Sequence, residues 1–469
     1  MREQRKILLV NLPFEKIYEK TSMKGVAPST PPLGLACIGG SLLKAGHMVK
    51  IFDFNTYSGN SEEEFLKFLE KFNPQFVGVS FVTPLIKEAD KISKIVKKFN
   101  PKITVIGGGP HCSSFPESSI RETSIDIAVI GEGDFTILDI INKKNPKNIK
   151  GIAYRNGNKI TVNERREFIK DLDVLPFPAY NLYDITKYKA PSAIAKKNPV
   201  AWIETSRGCV FGCVYCNKSC FGKTFRVKSP ERVVEEFIRA KKIGFKEVHL
   251  TDDGFTTDIE RAKKICELLK EKETNLLWST ITGIRVDLVD FELLKGMKEA
   301  GCYRVYFGIE SGNQEILNNI KKGIKLGQAT QAVKWAKEAG LEVAGYFMIG
   351  LPGETEKTMQ DTIDFAKSLN LDLAKISITI PLPATELFNE LDEQKLIKTH
   401  DWEKFKFYST PDSVYNHKNL DWKTIEKYYN KFYREVYFNL GFILKRIKVS
   451  IKDKTILEDI KTALSIKFV

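Results

Sequence analysis

Short apolar runs alternate with amphipathic segments along most of the chain. In the N-terminal part the apolar runs are Lys6–Asn11, Val49–Phe54, Phe76–Phe81, Ile103–Gly107 and Ile125–Ile130. Between them, apolar positions recur every three or four residues, as in helices, at Leu33–Ala45, Glu62–Phe72 and Ile86–Asn100. Regular alternation of strand and helix predicts an α/β fold with a doubly wound, Rossmann-like parallel sheet.

A second series of such units begins near residue 200. The predicted strands are Ala201–Thr205, Lys246–Thr251, Leu276–Thr282, Arg304–Glu310, Glu342–Ile349 and Leu373–Ile380. The helices between them include Pro230–Ile243, Asp258–Lys272 and Gln328–Ala339. Six strand–helix units predict a partial (β/α)6 barrel of the TIM type, open on one side. The chemistry of such barrels lies at the carboxyl ends of their strands.

The segments outside these two series have different patterns. A hairpin is predicted around Asn156-Gly157-Asn158, and the closely spaced Pro176 and Pro178 favour an extended path between domains. Beyond about residue 385 the pattern becomes aromatic and basic. We therefore predict a ligand-binding domain over 1–145, a hairpin and linker over 146–198, a barrel over 199–385 and a helical C-terminal region over 386–469.

Composition limits the class of protein. The 469 residues exceed one ordinary core, and the sequence has no apolar run of membrane-spanning length and no room for a signal peptide before its first strand. Eight cysteines in so long a chain do not form a disulfide framework, so a reducing cytoplasm is expected. The net charge of +14 would suit an anionic partner such as nucleic acid, but the lysines are spread along the chain, which favours an ordinary basic surface.

Three cysteines form the most specific motif. Cys209, Cys213 and Cys216 have the spacing C-x3-C-x2-C. Thiolates hold iron–sulfur clusters, and a cubane usually takes four ligands, so three would leave one iron open to a small molecule. The alternatives are a zinc knuckle or free thiols. A zinc site needs a fourth Cys or His at short range, and Cys220 after a gap of three residues fits no familiar zinc pattern.

With an aromatic residue, Tyr215, before the third cysteine, this motif resembles that of the radical S-adenosylmethionine (SAM) superfamily. The resemblance implies a [4Fe-4S] cluster, SAM bound to its open iron, and cleavage of SAM to a 5′-deoxyadenosyl radical. It also implies an external electron donor such as flavodoxin or ferredoxin. Methylthiotransferases of this superfamily need further N-terminal cluster cysteines, and the sequence has only Cys37 and Cys112 there, which disfavours that activity.

Residues at the ends of the barrel strands match positions that contact SAM in this superfamily. The resemblance implies contacts from Asp252 and Asp253 to the SAM amino group, from Glu310 and Ser311 to the ribose and methionine, from Arg285 to the carboxylate, and from the backbone of Gly350 and Leu351 to adenine, beside Tyr215. Other roles stay open: helix capping for the two aspartates, a structural ion pair for Glu310, and an exposed surface position for Arg285.

Glycine-rich strand ends in the N-terminal series are similar to those of the cobalamin-binding domain that precedes some radical SAM cores. They read Pro31-Pro32-Leu33-Gly34-Leu35, Gly107-Gly108-Gly109-Pro110-His111 and Gly131-Glu132-Gly133-Asp134. A dinucleotide site is disfavoured because no G-x-G-x-x-G follows the first strand. The resemblance implies cobalamin contacts from Leu33, Gly34, Ser80, Thr83, Gly107, Gly108, Gly109, Pro110, His111 and Glu132.

The sequence departs from many cobalamin domains after the first strand. Those domains carry D-x-H-x-x-G, whose His ligates cobalt, whereas residues Asn11–Lys16 contain no His. We therefore expect water or no ligand on the lower face of the cobalt. His111 is interpreted as a residue of the pocket for the cobalamin tail rather than as an axial ligand.

Together the motifs resemble cobalamin-dependent (class B) radical SAM enzymes over residues 1 to about 385. The resemblance implies a methyltransferase that acts on an unactivated carbon through methylcobalamin and a 5′-deoxyadenosyl radical. The alternative is a non-methylating cyclase, ring-contraction or oxidation enzyme, on a lipid or other natural-product intermediate. A cobalamin or redox sensor without turnover is the third hypothesis.

The C-terminal region has two interpretations. Aromatic residues such as Tyr428, Phe432 and Tyr433 alternate with basic ones that include Lys445 and Arg446. This pattern is typical of a helical cap on the open side of the barrel. It is also typical of a basic amphipathic helix on a membrane surface, which would suit a lipid substrate. The sequence does not identify the substrate, which could be a small molecule, a lipid or a peptide.

Overall fold

In the computed structural model of the protein, a mixed sheet and then a parallel sheet lie in succession along the chain. The structure describes residues 3–18, 29–57, 59–142, 144–407, 410–438, 442–443 and 450–451. The first sheet contains β1 (Lys6–Asn11), β2 (Met48–Asp53), β3 (Phe76–Ser80), β4 (Thr104–Gly108), β5 (Ile127–Val129), β6 (Ile152–Asn156) and β7 (Lys159–Val162). Its helices are α1 (Glu15–Tyr18), α2 (Leu33–Lys44), α3 (Ser61–Phe72), α4 (Ile86–Phe99), α5 (Pro110–Ser114), α6 (Pro116–Arg121) and α7 (Gly133–Ile141).

The strand order of the first sheet is β2-β1-β3-β4-β5-β6-β7. Neighbouring strands from β2 to β5 are parallel, with helices between them, as the alternating pattern predicts. The hairpin of β6 and β7 differs from its predicted place in the linker. β6 pairs antiparallel with β5, so the hairpin extends the N-terminal sheet as far as Val162. This pairing is a contact between strands distant in sequence, which the local turn signal does not reveal.

The second sheet forms the partial barrel. Its strands are β8 (Val200–Ile203), β11 (Glu247–Leu250), β12 (Leu277–Ser279), β13 (Cys302–Glu310), β14 (Glu342–Ile349) and β15 (Leu373–Ile378), and β9 (Ser206–Arg207) pairs with β10 (Arg226–Val227) in a separate ribbon. The order β15-β14-β13-β12-β11-β8 is parallel throughout. The outer strands β8 and β15 do not pair with each other in the described part of the chain, so the barrel is open, as predicted.

The helices of the second half are α8 (Pro230–Ile243), α9 (Ile259–Glu271), α10 (Phe291–Glu299), α11 (Gln314–Asn319), α12 (Leu326–Glu338), α13 (Glu356–Ser368), α14 (Glu386–Glu393) and α15 (Trp422–Tyr437). Local chemistry explains their limits, and α8 is an example. The Ser229 hydroxyl caps its first turn by accepting from the Arg232 N–H at 3.2 Å, and Pro230 occupies the first helical position. Gly244 ends the helix in a left-handed conformation, with φ of 115°.

The C-terminal region contacts both halves of the protein. Tyr433 on α15 donates to the Ile376 carbonyl at 3.1 Å, so this helix packs on the barrel. The Trp402 ring stacks on Phe115 of the N-terminal half, with centroids 4.7 Å apart. These contacts agree with the cap interpretation. Lys445 and Arg446 lie outside the described residues, and none of the helices that the structure describes is long and apolar enough to cross a membrane.

Candidate functional site

The three cysteines lie in the loop between β9 and β10, residues 208–225, which we call the cluster loop. Gly208 begins this loop with φ of 83°, and a Cβ there would lie 2.2 Å from the Thr224 carbonyl oxygen, so only glycine fits. The Gly208 N–H donates to Asp253 Oδ2 at 3.0 Å. The ribbon therefore closes the base of the loop, and Asp253 fixes its start.

The thiols of the cluster loop lie near one another. Cys216 is at an exposed position, yet desolvation by surrounding protein and the neighbouring Cys213 and Cys209 raise its thiol pKa to about 11. Within the described ranges, no three His, Cys, Asp or Glu side chains converge as ligands of a single metal ion. A cubane distributes its thiolates over separate iron atoms, so Cys209, Cys213 and Cys216 stay the predicted ligands of a cluster. Cys220 Sγ instead donates to Ser113 Oγ at 3.5 Å.

The buried side chains of Glu310 and Lys322, at the end of β13 and after α11, meet the half-buried Tyr215 of the cluster loop. Lys322 Nζ donates to Glu310 Oε1 at 2.8 Å, and the Tyr215 hydroxyl also donates to the Glu310 carboxylate. Desolvation, with the charge of Glu310, raises the pKa of Tyr215 well above its usual value. Lys322 belongs to none of the sequence motifs described above. The sequence feature that could have pointed to Lys322 is the pair Lys321-Lys322 before Gly323, in the turn that follows α11.

Gly34 at the start of α2, and Gly108 and Gly109 at the end of β4, leave the backbone bare of side chains, and we call these three positions the glycine shelf. A Cβ added to Gly34 or to Gly108 would meet no heavy atom within 4 Å, so both positions border open space. Gly109 has φ of 95°, and a Cβ there would lie 2.8 Å from the Phe81 carbonyl oxygen and 3.1 Å from Ser80 Oγ. The shelf can therefore accept a bulky, flat ligand close to the backbone.

The two halves of the site match two known domain families. Residues 22–141 match the B12 binding domain, and residues 203–366 match the radical SAM superfamily. The chain is 36% identical to the uncharacterized methyltransferase PH0819 of Pyrococcus horikoshii, over 94% of this chain and 96% of that protein. The chain belongs to the cobalamin-dependent radical SAM family. It is an enzyme whose cofactors are a [4Fe-4S] cluster, SAM and cobalamin.

Other relatives differ from one another in the reaction that their names give. Cytidylyl-2-hydroxyethylphosphonate methyltransferase of Streptomyces wedmorensis is 29% identical over 84% of this chain and 83% of that protein. Anaerobic magnesium-protoporphyrin IX monomethyl ester cyclase of Rubrivivax gelatinosus is 27% identical over 89% of this chain and 76% of that protein. The fold is similar to that of the cobalamin-dependent radical SAM enzyme OxsB, with a TM-score of 0.74, 18% identity, and coverage of 99% of this chain and 72% of that one.

The two aspartates predicted to contact SAM have different environments. Asp252 is buried, and its Oδ1 accepts from the Thr205 N–H at 3.0 Å and from the hydroxyls of Thr205 and Ser206 at 2.6 Å. Burial raises the pKa of Asp252 to about 6. Through Oδ1 this carboxylate supports the strand that leads to the cluster loop. Its Oδ2 has no hydrogen-bond partner among the described residues, and the SAM contact of Asp252 stays a prediction. Asp253 is exposed beside Gly208 and stays a candidate.

Ser311 and Arg285 also differ from their expected environments. The Ser311 hydroxyl is buried 3.1 Å from the Thr362 hydroxyl, on the side of α13. Arg285 forms two hydrogen bonds of 2.9 Å with Asp287, and its guanidinium carbon lies 3.5 Å from the centroid of the Phe211 ring in the cluster loop. Arg285 is thus engaged within the protein, and its contact with the SAM carboxylate stays a prediction. Lys322 is a second cation near the cluster loop.

The backbone N–H groups of the loop expected to lie along adenine donate hydrogen bonds to a carboxyl group of the protein. Glu354 Oε2 accepts from the N–H groups of Gly350 and Leu351 at 2.6 and 2.9 Å. Glu354 is fully buried, and burial raises its pKa to about 8. The carboxyl group therefore fixes the shape of the loop after β14. A contact to adenine there would use other atoms of Gly350 and Leu351 than their N–H groups.

The remaining residues predicted to contact cobalamin divide into shelf and packing positions. A Cβ on Gly107 would lie 2.8 Å from Ile125 Cδ1, so internal packing already requires this glycine. Leu33 is buried in the core, and Pro110 is the first residue of α5. His111 is buried with Nδ1 3.2 Å from the Thr83 hydroxyl, and burial lowers its pKa to about 4.

The surroundings of His111 are aromatic. Its ring lies 5.7 Å from that of Phe81 and 5.8 Å from that of Trp402. Its Nε2 has no hydrogen-bond partner in the part of the chain that the structure describes. His111 is thus a buried, neutral imidazole among aromatic rings, and its role in the tail pocket stays a prediction.

Glu132 lies within the domain junction rather than on the glycine shelf. Its Oε1 accepts from Arg207 at 2.9 Å and from Arg226 at 2.8 Å. Both arginines belong to the ribbon below the cluster loop. The Glu132 carboxylate is therefore engaged in buried ion pairs, and a cobalamin contact through its other atoms stays a prediction. The sequence pattern could not show this, because the partners are 75 and 94 residues away.

Proposed function

We propose that this protein transfers a methyl group to an unactivated carbon atom of its substrate. One observation carries the proposal: the cluster loop lies against the carboxyl end of the N-terminal sheet. Asn217, the residue after Cys216, donates to Ser114 Oγ at 2.8 Å. A Cβ on Gly131 would lie 3.5 Å from the Cys220 carbonyl oxygen. The expected sites for cobalamin and for SAM therefore border one shared space.

The residues of the chain have distinct roles in this proposal. When bound, the cluster with SAM supplies a carbon-centred radical, and cobalamin carries the methyl group. Cys209, Cys213 and Cys216 would hold the cluster. Lys322 and Glu310 would bind the carboxylate and ribose of SAM, since a cation and a carboxylate suit these groups. Because hydrogen abstraction needs no acid or base, positioning is the main work of the protein.

An external one-electron donor is required, as in other radical SAM enzymes.

Trp402 and the segment around it contact the N-terminal half, as shown by the ion pair of 3.0 Å between Lys87 and Asp401. We infer that the C-terminal region closes the shared space on one side. The substrate, whether a small molecule, a lipid or a peptide, would then bind between the two domains and this region.

The second candidate function is radical chemistry without methyl transfer, such as cyclisation, ring contraction or oxidation. It is favoured by the similarity to a cyclase over most of the chain. The products distinguish the two functions. Methylation consumes SAM in two ways and yields S-adenosylhomocysteine and 5′-deoxyadenosine, whereas the alternative yields 5′-deoxyadenosine with no sustained S-adenosylhomocysteine.

The experiment is anaerobic reconstitution of the cluster, followed by incubation with cobalamin, SAM with a deuterated methyl group, a strong one-electron reductant and small-molecule extract. Mass spectrometry should detect both nucleoside products and a labelled methyl group on carbon in an extract component. 5′-Deoxyadenosine alone would favour the second candidate. Absence of 5′-deoxyadenosine with an intact cluster would overturn both and favour a sensor.

A further inference from the structure

Two arginines face each other across the ribbon at the base of the cluster loop. Arg207 on β9 and Arg226 on β10 are directly paired in the antiparallel register. Like charges opposite each other in a ribbon repel, and a buried charge without a partner is costly. Both arginines are nevertheless buried, with side chains no more than 5% exposed. A carboxylate that neutralises both is therefore a requirement of this arrangement.

Glu132 of the N-terminal domain supplies that carboxylate. Its Oε1 lies 2.9 Å from Arg207 Nη1 and 2.8 Å from Arg226 Nη1. Its Oε2 accepts from the backbone N–H of Ile169, in the linker, at 2.8 Å. One side chain thus joins the cobalamin-binding domain, the linker and the ribbon that carries the cluster loop.

Further carboxylates complete the network around Arg207. Asp134, two residues after Glu132, accepts from Arg207 Nη1 at 2.9 Å, and Glu204 accepts from Arg207 Nε at 2.7 Å. Arg226 also donates to the Ile169 carbonyl oxygen at 2.9 Å. Since several fixed donors and acceptors must align at once, the network permits few relative placements of the two domains.

We propose that Glu132, Arg207 and Arg226 are positioning residues that set the distance between the cobalt and the cluster. Arg207 precedes the cluster ligand Cys209 by two residues. Glu132 directly follows Gly131, which lies at the end of a strand of the cobalamin-binding domain. The network is therefore close in sequence to both cofactor sites. The inference rests on the proposed function only in requiring that both cofactors bind. A misplacement of about 1 Å between reacting groups can cost about 100-fold in rate, which gives the network its value.

The test measures distance without turnover. Cob(II)alamin and the reduced cluster each carry an unpaired electron, so pulsed dipolar EPR reports their separation. Wild-type protein should give one narrow distance distribution. Glu132→Gln keeps the size of the side chain but removes the charge shared by the arginines. With wild-type iron and cobalamin content, this variant should give a broader and shifted distribution.

A matched control removes a similar charge elsewhere. Glu342 accepts from Arg304 at 2.9 Å and also pairs with Lys196, and neither partner belongs to the ribbon that carries the cluster loop. Glu342→Gln should leave the distance distribution unchanged. A distribution in Glu132→Gln identical to wild type, or an equal change in Glu342→Gln, would overturn the proposal.

A milder variant keeps the test decisive if Glu132→Gln fails to fold. Asp134→Asn removes the charge of one of the carboxylates that contact Arg207 and leaves Glu132 in place. It should broaden the distribution with both cofactors bound, and an unchanged distribution would overturn the proposal. In the coupled reaction, either variant should form more 5′-deoxyadenosine for each methyl group transferred. Failure of methylation in wild-type protein would concern the proposed function alone, because the distance measurement needs no substrate.

Discussion

Lys322 Nζ lies 2.8 Å from Glu310 Oε1, and both side chains are almost fully buried. Glu310 adopts a left-handed backbone conformation, with φ of 70°, at the point where β13 ends. Such a conformation costs a non-glycine residue on the order of 1 kcal/mol and persists where surrounding contacts impose it. The ion pair and the Tyr215 hydroxyl are two such contacts, so the location of the Glu310 carboxylate is fixed before any ligand binds.

Replacement of Lys322 tests its inferred contact with SAM. We expect Lys322→Met to weaken SAM binding by about 10- to 100-fold, because the loss of a charge-assisted hydrogen bond costs roughly 1.5–3 kcal/mol. The EPR spectrum of the reduced cluster, followed during a SAM titration, measures the affinity. Lys321→Met is the control, since Lys321 is exposed and pairs with Glu386. An equal loss of affinity in both variants would contradict the assignment.

The two aspartates should respond differently to truncation. Asp252→Ala leaves three hydrogen-bond donors without their acceptor, so we expect the free energy of unfolding to fall by about 2–3 kcal/mol. Asp253→Ala removes one accepted hydrogen bond at an exposed position and should lower it by less than about 1 kcal/mol. Denaturant titration measures both. If Asp253 contacts SAM, only its variant should lose SAM affinity while retaining stability.

The ligand set of the cluster can be tested with one pair of variants. We expect Cys213→Ala to lose the cluster after reconstitution, seen as loss of iron, sulfide and the charge-transfer absorbance. Cys220→Ala should retain wild-type iron content, because the Cys220 thiol contacts Ser113 across the junction. Loss of iron in the Cys220 variant alone would show that the assignment of the triplet is wrong.

Glu354 should make stability depend on pH. Burial raises its pKa to about 8 in the folded protein, well above that of an exposed glutamate. The folded state then binds a proton that the unfolded chain has already released, so stability should fall as pH rises from about 5 to about 9. Urea unfolding of the cluster-free protein measures this slope.

The control for this pH dependence is a substitution that keeps the hydrogen-bond acceptor. Glu354→Gln can still accept from Gly350 and Leu351 but does not titrate, so its stability should depend less on pH than that of the wild type. Glu356→Gln, at a neighbouring exposed position, should retain the wild-type slope. A slope unchanged in Glu354→Gln would show that Glu354 is ionised in the folded protein.

The axial coordination of the bound cobalt can be tested by EPR. Because His111 lies among aromatic rings and Asn11–Lys16 contain no His, we expect the EPR spectrum of bound cob(II)alamin to lack nitrogen superhyperfine splitting. His111→Phe should leave that spectrum unchanged while it weakens cobalamin binding. Nitrogen splitting that disappears in His111→Phe would identify His111 as an axial ligand instead.

The sequence by itself determined the order of strands and helices, the open barrel and the cysteine motif. These features rest on local periodicity and spacing, such as the helix predicted and found at Pro230–Ile243. The glycine-rich strand ends could also be recognised in the sequence, because the positive φ of Gly109 is a local backbone conformation that favours glycine.

Only the tertiary structure decided how the polar groups are used. The sequence predicts ligand contacts for Glu132 and Asp252, but it does not show that folding brings Glu132 to Arg207, 75 residues away, and Asp252 to Thr205, 47 residues away. Lys322 pairs with Glu310 because the turn after α11 brings the two side chains together. A buried charge needs a partner wherever the chain supplies one. Local patterns therefore predict the elements, whereas pairing between distant residues determines which side chains remain for the cofactors.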